Sequence, residues 1–213
     1  MTKKVVDWYF DFISPFAYLS SEKLDRISES CEIRPQPILF AGLLQHWQTK
    51  GPAEIDPMRK FTFRHISWLA KKNGIPLNLP PEHPFNPLPY LRLSLAMNND
   101  LTIVRRLFRF IWGEGGTISN TSAWQALISE LKIENYEALI GDPMVKDSLR
   151  SNTEKAVKNN LFGVPGFVVD NETFWGFDSM DFMIDYLENP ELLKSAAIQA
   201  ADHLPEGRGR TNR

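Results

Sequence analysis

The sequence contains a single cysteine, Cys31, among its 213 residues. One cysteine cannot form an internal disulfide, so the sequence predicts a reducing compartment, the cytoplasm, and excludes a Cys-x-x-Cys redox pair. Because Cys31 begins a predicted strand, we expect a buried thiol there and not a nucleophile. The sequence also lacks an apolar run near the ~20 residues that a membrane span needs. No signal-peptide apolar core follows the N-terminus. No membrane association is therefore expected.

The sequence also lacks a large excess of positive or negative charge, and it lacks the residue spacing of a metal site. The 24 Lys and Arg residues nearly balance the 26 Asp and Glu residues, and the net charge is -2. This balance offers no electrostatic basis for binding nucleic acid. The histidines are scattered without ligand spacing, so the sequence predicts no metal site. They are His46, His65, His83 and His203.

The N-terminal third of the sequence begins with a pattern typical of alternating strands and helices. Residues 5–13 are rich in aromatic and β-branched side chains, which predicts a buried strand. A break at Ser14-Pro15 follows, and residues 16–30 have apolar positions near helical spacing. Residues 31–37 alternate, and two prolines among them place this second strand at a sheet edge.

The middle of the sequence, residues 39–160, shows only helical patterns separated by Pro and Gly. An amphipathic helix over 101–112 is predicted to end before Gly113. Near the C-terminus, residues 164–178 indicate two strands joined by a turn at Asp170-Asn171, and a helix over 179–187 follows. The two flanking parts would form one sheet, interrupted by an inserted helical segment.

The stretch YFDFISPFAYL, residues 9–19, resembles the start of a thioredoxin-like domain, in which a strand carries a Cys-x-x-Cys pair into a helix. Here those four positions hold no sulfur; they are Ser14, Pro15, Phe16 and Ala17. Three motifs, FDFISPFAYL, HPFNPLPYLRL and GVPGFVVDNETFWGFD, occur in this order. Together they resemble the 2-hydroxychromene-2-carboxylate isomerases, relatives of the kappa-class glutathione transferases in the DsbA-like branch of the thioredoxin superfamily. The resemblance covers about residues 5–187.

The resemblance implies an α/β, thioredoxin-like (DsbA-type) fold with a large inserted α-helical subdomain. Residues 1–38 and 156–190 would form the thioredoxin-like domain, 39–155 the insertion, and 203–213 a disordered tail. It also implies glutathione as the cofactor, a small aromatic substrate and a homodimer. The apolar helix 101–112 is the candidate subunit contact.

By this resemblance Ser14 takes the place of the first redox cysteine and is the catalytic residue. Pro15 and Phe16 would then lie at the glutathione site. The start of a helix favours an anion, and an alkyl thiol has a pKa of about 8.5. A hydroxyl donor worth roughly 1.5–3 kcal/mol could shift that equilibrium toward the thiolate at neutral pH. The alternative is that Ser14 only caps the helix.

The loop at Val164-Pro165 is the second expected part of the glutathione site. In thioredoxin-like folds the proline that faces the active helix is cis, which leaves the preceding backbone N–H and C=O free for a ligand. Val164 would then pair with the cysteinyl backbone of glutathione as a short added strand. The alternative is an ordinary trans turn before a strand.

The third expected part holds the γ-glutamyl end of glutathione. The resemblance assigns it to Trp175, Gly176, Phe177 and Asp178. Asp178 could instead act only as a helix cap. Relatives commonly carry Arg after this Asp, whereas this sequence has Ser179. This difference would weaken glutathione binding unless a basic group from elsewhere in the chain substitutes for the Arg.

Basic residues around GPAEIDP are candidates for a carboxylate of the substrate or of glutathione: Lys50, Arg59 and Lys60. Asn86 matches an asparagine that relatives use at the substrate pocket. A solvated charged surface and a plain turn residue remain the respective alternatives.

Three functions are compatible with these motifs. The first is a glutathione-dependent cis–trans isomerase of an aromatic enone or pyruvate-type compound, acting by reversible thiolate addition. The second is kappa-class-like transferase or peroxidase chemistry. The third is a non-catalytic thioredoxin-fold module that binds a thiol or peptide, which the Ser179 departure favours.

Overall fold

One mixed sheet of four strands organises the protein. The structure, a computed structural model, describes residues 3–28, 30–205 and 207. The strands β1 (Lys4–Phe10), β2 (Cys31–Pro37), β3 (Gly166–Val169) and β4 (Glu172–Trp175) have the order β2-β1-β3-β4. β1 and β2 are parallel, whereas β1–β3 and β3–β4 are antiparallel. β2 therefore lies at an edge of the sheet, as its prolines predicted. The predicted hairpin turn at Asp170 and Asn171 is confirmed as well, since both residues have positive φ angles, 52° and 68°.

The segment after β1 differs from its prediction in two respects. β1 ends at Phe10 and not at residue 13, because the Asp11 carboxylate accepts the Ile13 N–H and turns the chain. The single helix predicted over 16–30 is two helices, α1 (Pro15–Ser21) and α2 (Asp25–Ser28). Lys23 N–H donates to the Ser20 carbonyl three residues back, the tight spacing that closes a helix end.

Between β2 and β3 the described chain forms helices and no strand. These helices are α3 (Phe40–Trp47), α4 (Asp56–Asn73), α5 (Leu88–Ala96), α6 (Leu101–Phe108), α7 (Thr121–Glu130), α8 (Tyr136–Gly141) and α9 (Pro143–Lys158). A 3-10 turn at Pro52–Glu54 precedes α4, and α6 continues as a π-helical turn at Arg109–Gly113. Within the described ranges, no helix is both long and apolar enough to cross a bilayer.

The two faces of β1 pack against different layers, because alternate side chains of a strand point in opposite directions. On one face, Trp8 and Phe10 stack with ring centroids 4.5 Å apart, and Phe108 packs 5.5 Å from Phe10. On the other face, Tyr9 belongs to a buried cluster that includes Val164. The loop before β3 is thus attached to the core.

The predicted helix 101–112 exists, and most of its apolar side chains pack within the chain. Its apolar side chains Val104, Leu107 and Phe108 are fully buried within the chain. Its cations form ion pairs within the chain as well. The pairs are Arg105–Asp25, Arg106–Glu130 and Arg109–Glu22. Leu101 and Ile103 are half-buried, and the subunit contact expected at this helix remains a prediction.

The chain divides into two compact units, Met1–Phe177 and Asp178–Arg213. The second unit contains the predicted helix as α10 (Ser179–Glu188), followed by a 3-10 turn at Pro190–Lys194 and an unpredicted helix, α11 (Ala196–Asp202). The domain boundaries expected from the sequence remain a prediction. Of the expected tail, residues 206 and 208–213 lie outside the described residues.

Candidate functional site

Ser14 occupies the N-cap position of α1 with extended backbone angles, and its side chain makes two hydrogen bonds. Its Oγ accepts from the Ala17 N–H at 3.2 Å, which is the expected capping bond. The same hydroxyl donates to the Val164 carbonyl oxygen at 3.2 Å. Ser14 is 8% exposed. It therefore caps the helix and also reaches the loop before β3.

The Val164-Pro165 peptide bond is cis. The Pro165 carbonyl accepts the Gly176 N–H at 2.9 Å, and Gly176 has a φ of 98° that favours glycine. The Val164 N–H makes no hydrogen bond with the described residues. Ser14, Val164 and Gly176 are thereby joined through one loop, although they lie far apart in the sequence.

Aromatic rings flank this loop. Trp175 is 53% exposed and packs edge-on against Phe162, with ring centroids 5.0 Å apart. Gly163 lies directly under the Trp175 indole, where an added Cβ would collide with its Nε1. Phe16 is half-buried, and its ring lies 5.9 Å from that of His65. Phe162 and Trp175 thus provide apolar surface beside the loop, whereas the Phe16 ring contacts His65 of α4.

Asp178 begins the second unit at the N-cap position of α10. Its backbone is helical, with φ -72° and ψ -24°, and its side chain makes no capping hydrogen bond. The hypothesis that this carboxylate serves only as a cap is therefore wrong. Asp178 is exposed, while Phe177, the last residue of the first unit, is half-buried.

The predicted substrate residues fall in different surroundings. Arg59 donates to the His83 carbonyl at 3.3 Å, and its guanidinium lies 5.4 Å from the centre of the Phe63 ring. Lys60 pairs with Asp56 at 2.9 Å on the exposed face of α4. Of these side chains, only Arg59 is fixed by contacts outside its own helix.

Asn86 and Lys50 are both exposed. The Asn86 side-chain oxygen accepts the Leu88 N–H at 3.1 Å, the bond of a turn residue before α5. Lys50 forms no ion pair within the described chain. Their assignment to a substrate remains a prediction.

A buried carboxylate, Asp11, was missed in the sequence. It is fully buried and accepts the Ile13 N–H at 3.0 Å and the Phe40 N–H at 2.8 Å, while its backbone carbonyl accepts the Ser14 N–H. Burial raises the pKa of Asp11 to about 7, although the hydrogen bonds from the two N–H groups act in the opposite direction. A single acid inside the apolar run FDF was the available clue.

His83 was also missed, because its contacts are distant in sequence. Its Nε2 lies 3.0 Å from the Ile13 carbonyl oxygen, so this nitrogen carries the proton. Burial lowers the pKa of His83, Arg59 lowers it further, and the bond to Ile13 acts in the opposite direction. The ring packs edge-on against Phe63 with centroids 5.2 Å apart. His83 thus supports the residue that precedes Ser14.

No group of three or more His, Cys, Asp or Glu side chains in the described part of the chain could hold a metal ion. The lone thiol of Cys31 is buried at the start of β2, as expected.

A four-stranded mixed sheet, a helix that begins just after Ser14 and a cis-proline loop facing it define a thioredoxin-like protein. A family model, the DSBA-like thioredoxin domain, matches residues 5–188. The chain belongs to this family. The fold class expected from the sequence is thereby confirmed.

Two relatives and one solved structure cover nearly the whole chain. A glutathione S-transferase kappa 2 from Caenorhabditis elegans is 27% identical over 210 residues, covering 88% of this chain and 93% of the relative. A 2-hydroxychromene-2-carboxylate isomerase from Sphingobium xenophagum is 27% identical over 192 residues, covering 86% and 98%. The solved structure is a 2-hydroxychromene-2-carboxylate isomerase, with a TM-score of 0.75, 22% identity and coverage of 93% and 98%. The family resemblance stated from the three motifs is confirmed.

Proposed function

We propose that this protein is a glutathione-dependent cis–trans isomerase of an aromatic enone or pyruvate-type compound. The observation that carries the proposal is the hydrogen bond from the Ser14 hydroxyl to the Val164 carbonyl, beside a cis-proline. It sets a hydroxyl donor next to backbone groups that suit a cysteinyl residue. Whole-length similarity to proteins named as glutathione transferases and as isomerases supports the choice of ligand and reaction.

Glutathione would exchange hydrogen bonds with this loop. Its cysteinyl C=O would accept the unused Val164 N–H, and its cysteinyl N–H would donate to the Val164 carbonyl. The Ser14 hydroxyl hydrogen would then turn from Val164 to the sulfur. A charge-assisted bond of this kind contributes roughly 1.5–3 kcal/mol, enough to lower a thiol pKa near 8.5 by about one unit.

The reaction needs the thiolate and a conjugated double bond. The sulfur adds to the β-carbon, a C–S bond forms, and the π electrons move to the carbonyl oxygen as an enolate. The former double bond is now single and rotates. The enolate then expels the thiolate, which breaks the C–S bond and restores the alkene in the other geometry, so no glutathione is consumed.

The ends of glutathione would be held outside the loop. Trp175, Gly176 and Phe177 supply surface and backbone, and the exposed Asp178 carboxylate would receive the γ-glutamyl ammonium. Pro15 and Phe16 would flank the sulfur at the start of α1. Ser179 in place of the usual Arg removes a cation from this part, which predicts weaker binding than in relatives.

Among the predicted cations, Arg59 suits a substrate carboxylate best. Its guanidinium is positioned by the His83 carbonyl and the Phe63 ring, so less side-chain freedom is lost on binding. Lys60 would first have to leave Asp56. Lys50 and Asn86 remain secondary candidates at the surface.

A second candidate function is kappa-class-like transfer or peroxide reduction, because the kappa-class relative is as similar to this chain as the isomerase relative. Both functions use the same thiolate. They differ in the fate of glutathione, which is conserved during isomerisation and consumed during conjugation or oxidation.

The test measures glutathione binding by calorimetry and then both reactions on the same preparation. Isomerisation of a hydroxybenzylidene-pyruvate type substrate is followed by absorbance, while free thiol is assayed in parallel. Glutathione-dependent isomerisation at constant thiol supports the proposal. Thiol loss with an electrophilic aryl chloride or a hydroperoxide, without isomerisation, supports the second candidate, and binding without either reaction supports a non-catalytic module.

A further inference from the structure

A cavity of about 770 Å³ lies between α3, α5 and α9, and none of the proposed glutathione or substrate residues lines it. Its apolar lining comes from Leu39, Leu88, Leu149 and Val157. The volume falls within the roughly 300–1,000 Å³ that is usual for small-molecule sites. The cavity can therefore hold a ligand with a sizeable apolar body.

The charged part of the cavity lining is mostly cationic. Arg92, Lys146, Arg150 and Lys158 line it, against one carboxylate of the described lining, Glu154. Arg150 also pairs with Asp147 at 3.0 Å, at the exposed side of α9. The chain as a whole has a net charge of -2, so this concentration of positive charge is opposite in sign to the rest of the molecule.

Arg92 is the cation whose surroundings point most directly to a ligand. Its side chain is half-buried on α5, and its Nε is buried without a hydrogen-bond partner in the described chain. A guanidinium N–H that is removed from water and left unpaired is unfavourable. A carboxylate is the acceptor whose geometry matches the guanidinium fork.

We propose that this cavity binds an organic carboxylate with an apolar body, the carboxylate at Arg92 and the body against Leu39, Leu88, Leu149 and Val157. Lys146 and Lys158 add attraction at the opening. An acyl chain and an aromatic ring system share this chemistry. The inference is independent of the function proposed for the Ser14 site.

Titration calorimetry on the full chain uses decanoate and 1-naphthoate as the acyl and aryl probes. Acetate lacks the apolar body, and 1-naphthalenemethanol lacks the charge. We expect at least one of the two acids to bind at least 10-fold more tightly than acetate and the alcohol. Whichever acid binds identifies the acyl or the aryl class. If neither acid binds, the proposal is wrong.

The Arg92→Gln variant is expected to weaken binding of the preferred acid at least 10-fold. Arg64→Gln, which removes an exposed arginine of α4 outside the lining, should leave the affinity unchanged. If Arg92→Gln does not fold, the exposed pair Lys146→Gln and Lys158→Gln is used, with an expected loss of at least 3-fold. An unchanged affinity in the variant used would overturn the assignment.

Two further measurements distinguish binding in this cavity from binding at the Ser14 site and from a subunit contact. Saturating glutathione should leave the affinity for the acid unchanged, and competition between them would place the acid at the Ser14 site and refute the proposal. A failure of glutathione to bind would affect only the function proposed for Ser14. If Lys146→Glu with Arg150→Glu dissociates an oligomer, a second copy covers the cavity, and the proposal is wrong.

Discussion

The Ser14 hydroxyl donates a 3.2 Å hydrogen bond to the carbonyl oxygen of Val164, which lies 150 residues further along the chain. The same hydroxyl accepts the Ala17 N–H, so one side chain both ends the loop after β1 and meets the cis-proline loop. Capping and ligand chemistry are therefore not exclusive for this residue. They can be separated only by variants that affect them differently.

Ser14→Ala removes the hydroxyl donor and keeps the backbone of the facing loop. We expect glutathione to bind almost as well, the pKa of the bound thiol to rise, and turnover to fall by roughly 10- to 1000-fold, the range for losing one donor to an anion. An ultraviolet thiolate titration and isomerase rates measure both quantities. Ser67→Ala, which removes an exposed hydroxyl on α4, is the control. Unchanged pKa and rate would show that Ser14 is only a cap.

Asp178→Ala is expected to have the opposite pattern. Loss of the carboxylate should weaken glutathione binding by roughly 2- to 5-fold, the range for a solvated ion pair. The pKa of the thiol that still binds should not change, because the sulfur contacts are made elsewhere. Asp185→Ala, an acid of the same helix, is the matched control in calorimetry. Equal effects of the two variants would contradict a specific role of Asp178.

Asp11 predicts a pH dependence of stability. Its pKa is raised from 3.8 to about 7 by burial, so the folded state holds a proton that the unfolded state has lost between these values. The free energy of unfolding should therefore fall as pH rises from about 4 to 7, by a contribution on the order of 3 kcal/mol. Asp11→Asn should flatten this slope in urea titrations across that range. A slope equal to that of the unsubstituted protein would count against the raised pKa.

His83 predicts a contribution of the opposite sign. Because burial lowers its pKa below 6.5, the unfolded state binds more protons, and stability is lost as pH falls through the ordinary histidine range. His83→Phe keeps an aromatic ring beside Phe63 and removes the bond to Ile13. We expect a loss of about 0.5–1.5 kcal/mol at pH 7 and a smaller decrease on acidification. His46→Phe, at an exposed position, serves as the comparison, and identical acid profiles would refute the assignment.

A homodimer remains a prediction of the family resemblance. Sedimentation at micromolar concentration should give a species of twice the 24.5 kDa chain mass. Because Val104, Leu107 and Phe108 are buried within the chain, we expect an α6 surface variant such as Thr102→Glu to leave the result unchanged. A single species at the monomer mass would contradict the prediction.

The sequence by itself determined the features that depend on local backbone chemistry. Prolines in 31–37 required an edge strand, Pro15 suited a helix start, and Asp170-Asn171 suited a tight hairpin turn. Each depends on residues that are neighbours in the chain, so composition and order were sufficient. The three motifs, through their resemblance to a known family, then predicted that the sheet is thioredoxin-like.

Only the tertiary structure decided which polar groups are buried together. Asp11 reaches Phe40 and His83 reaches Ile13 across long stretches of chain, and no local pattern encodes those contacts. Phe108 of α6, a helix that looked available for a second subunit, packs against Trp8 and Phe10 of β1. A helical pattern shows that one face must be buried, whereas the fold alone determines what buries it.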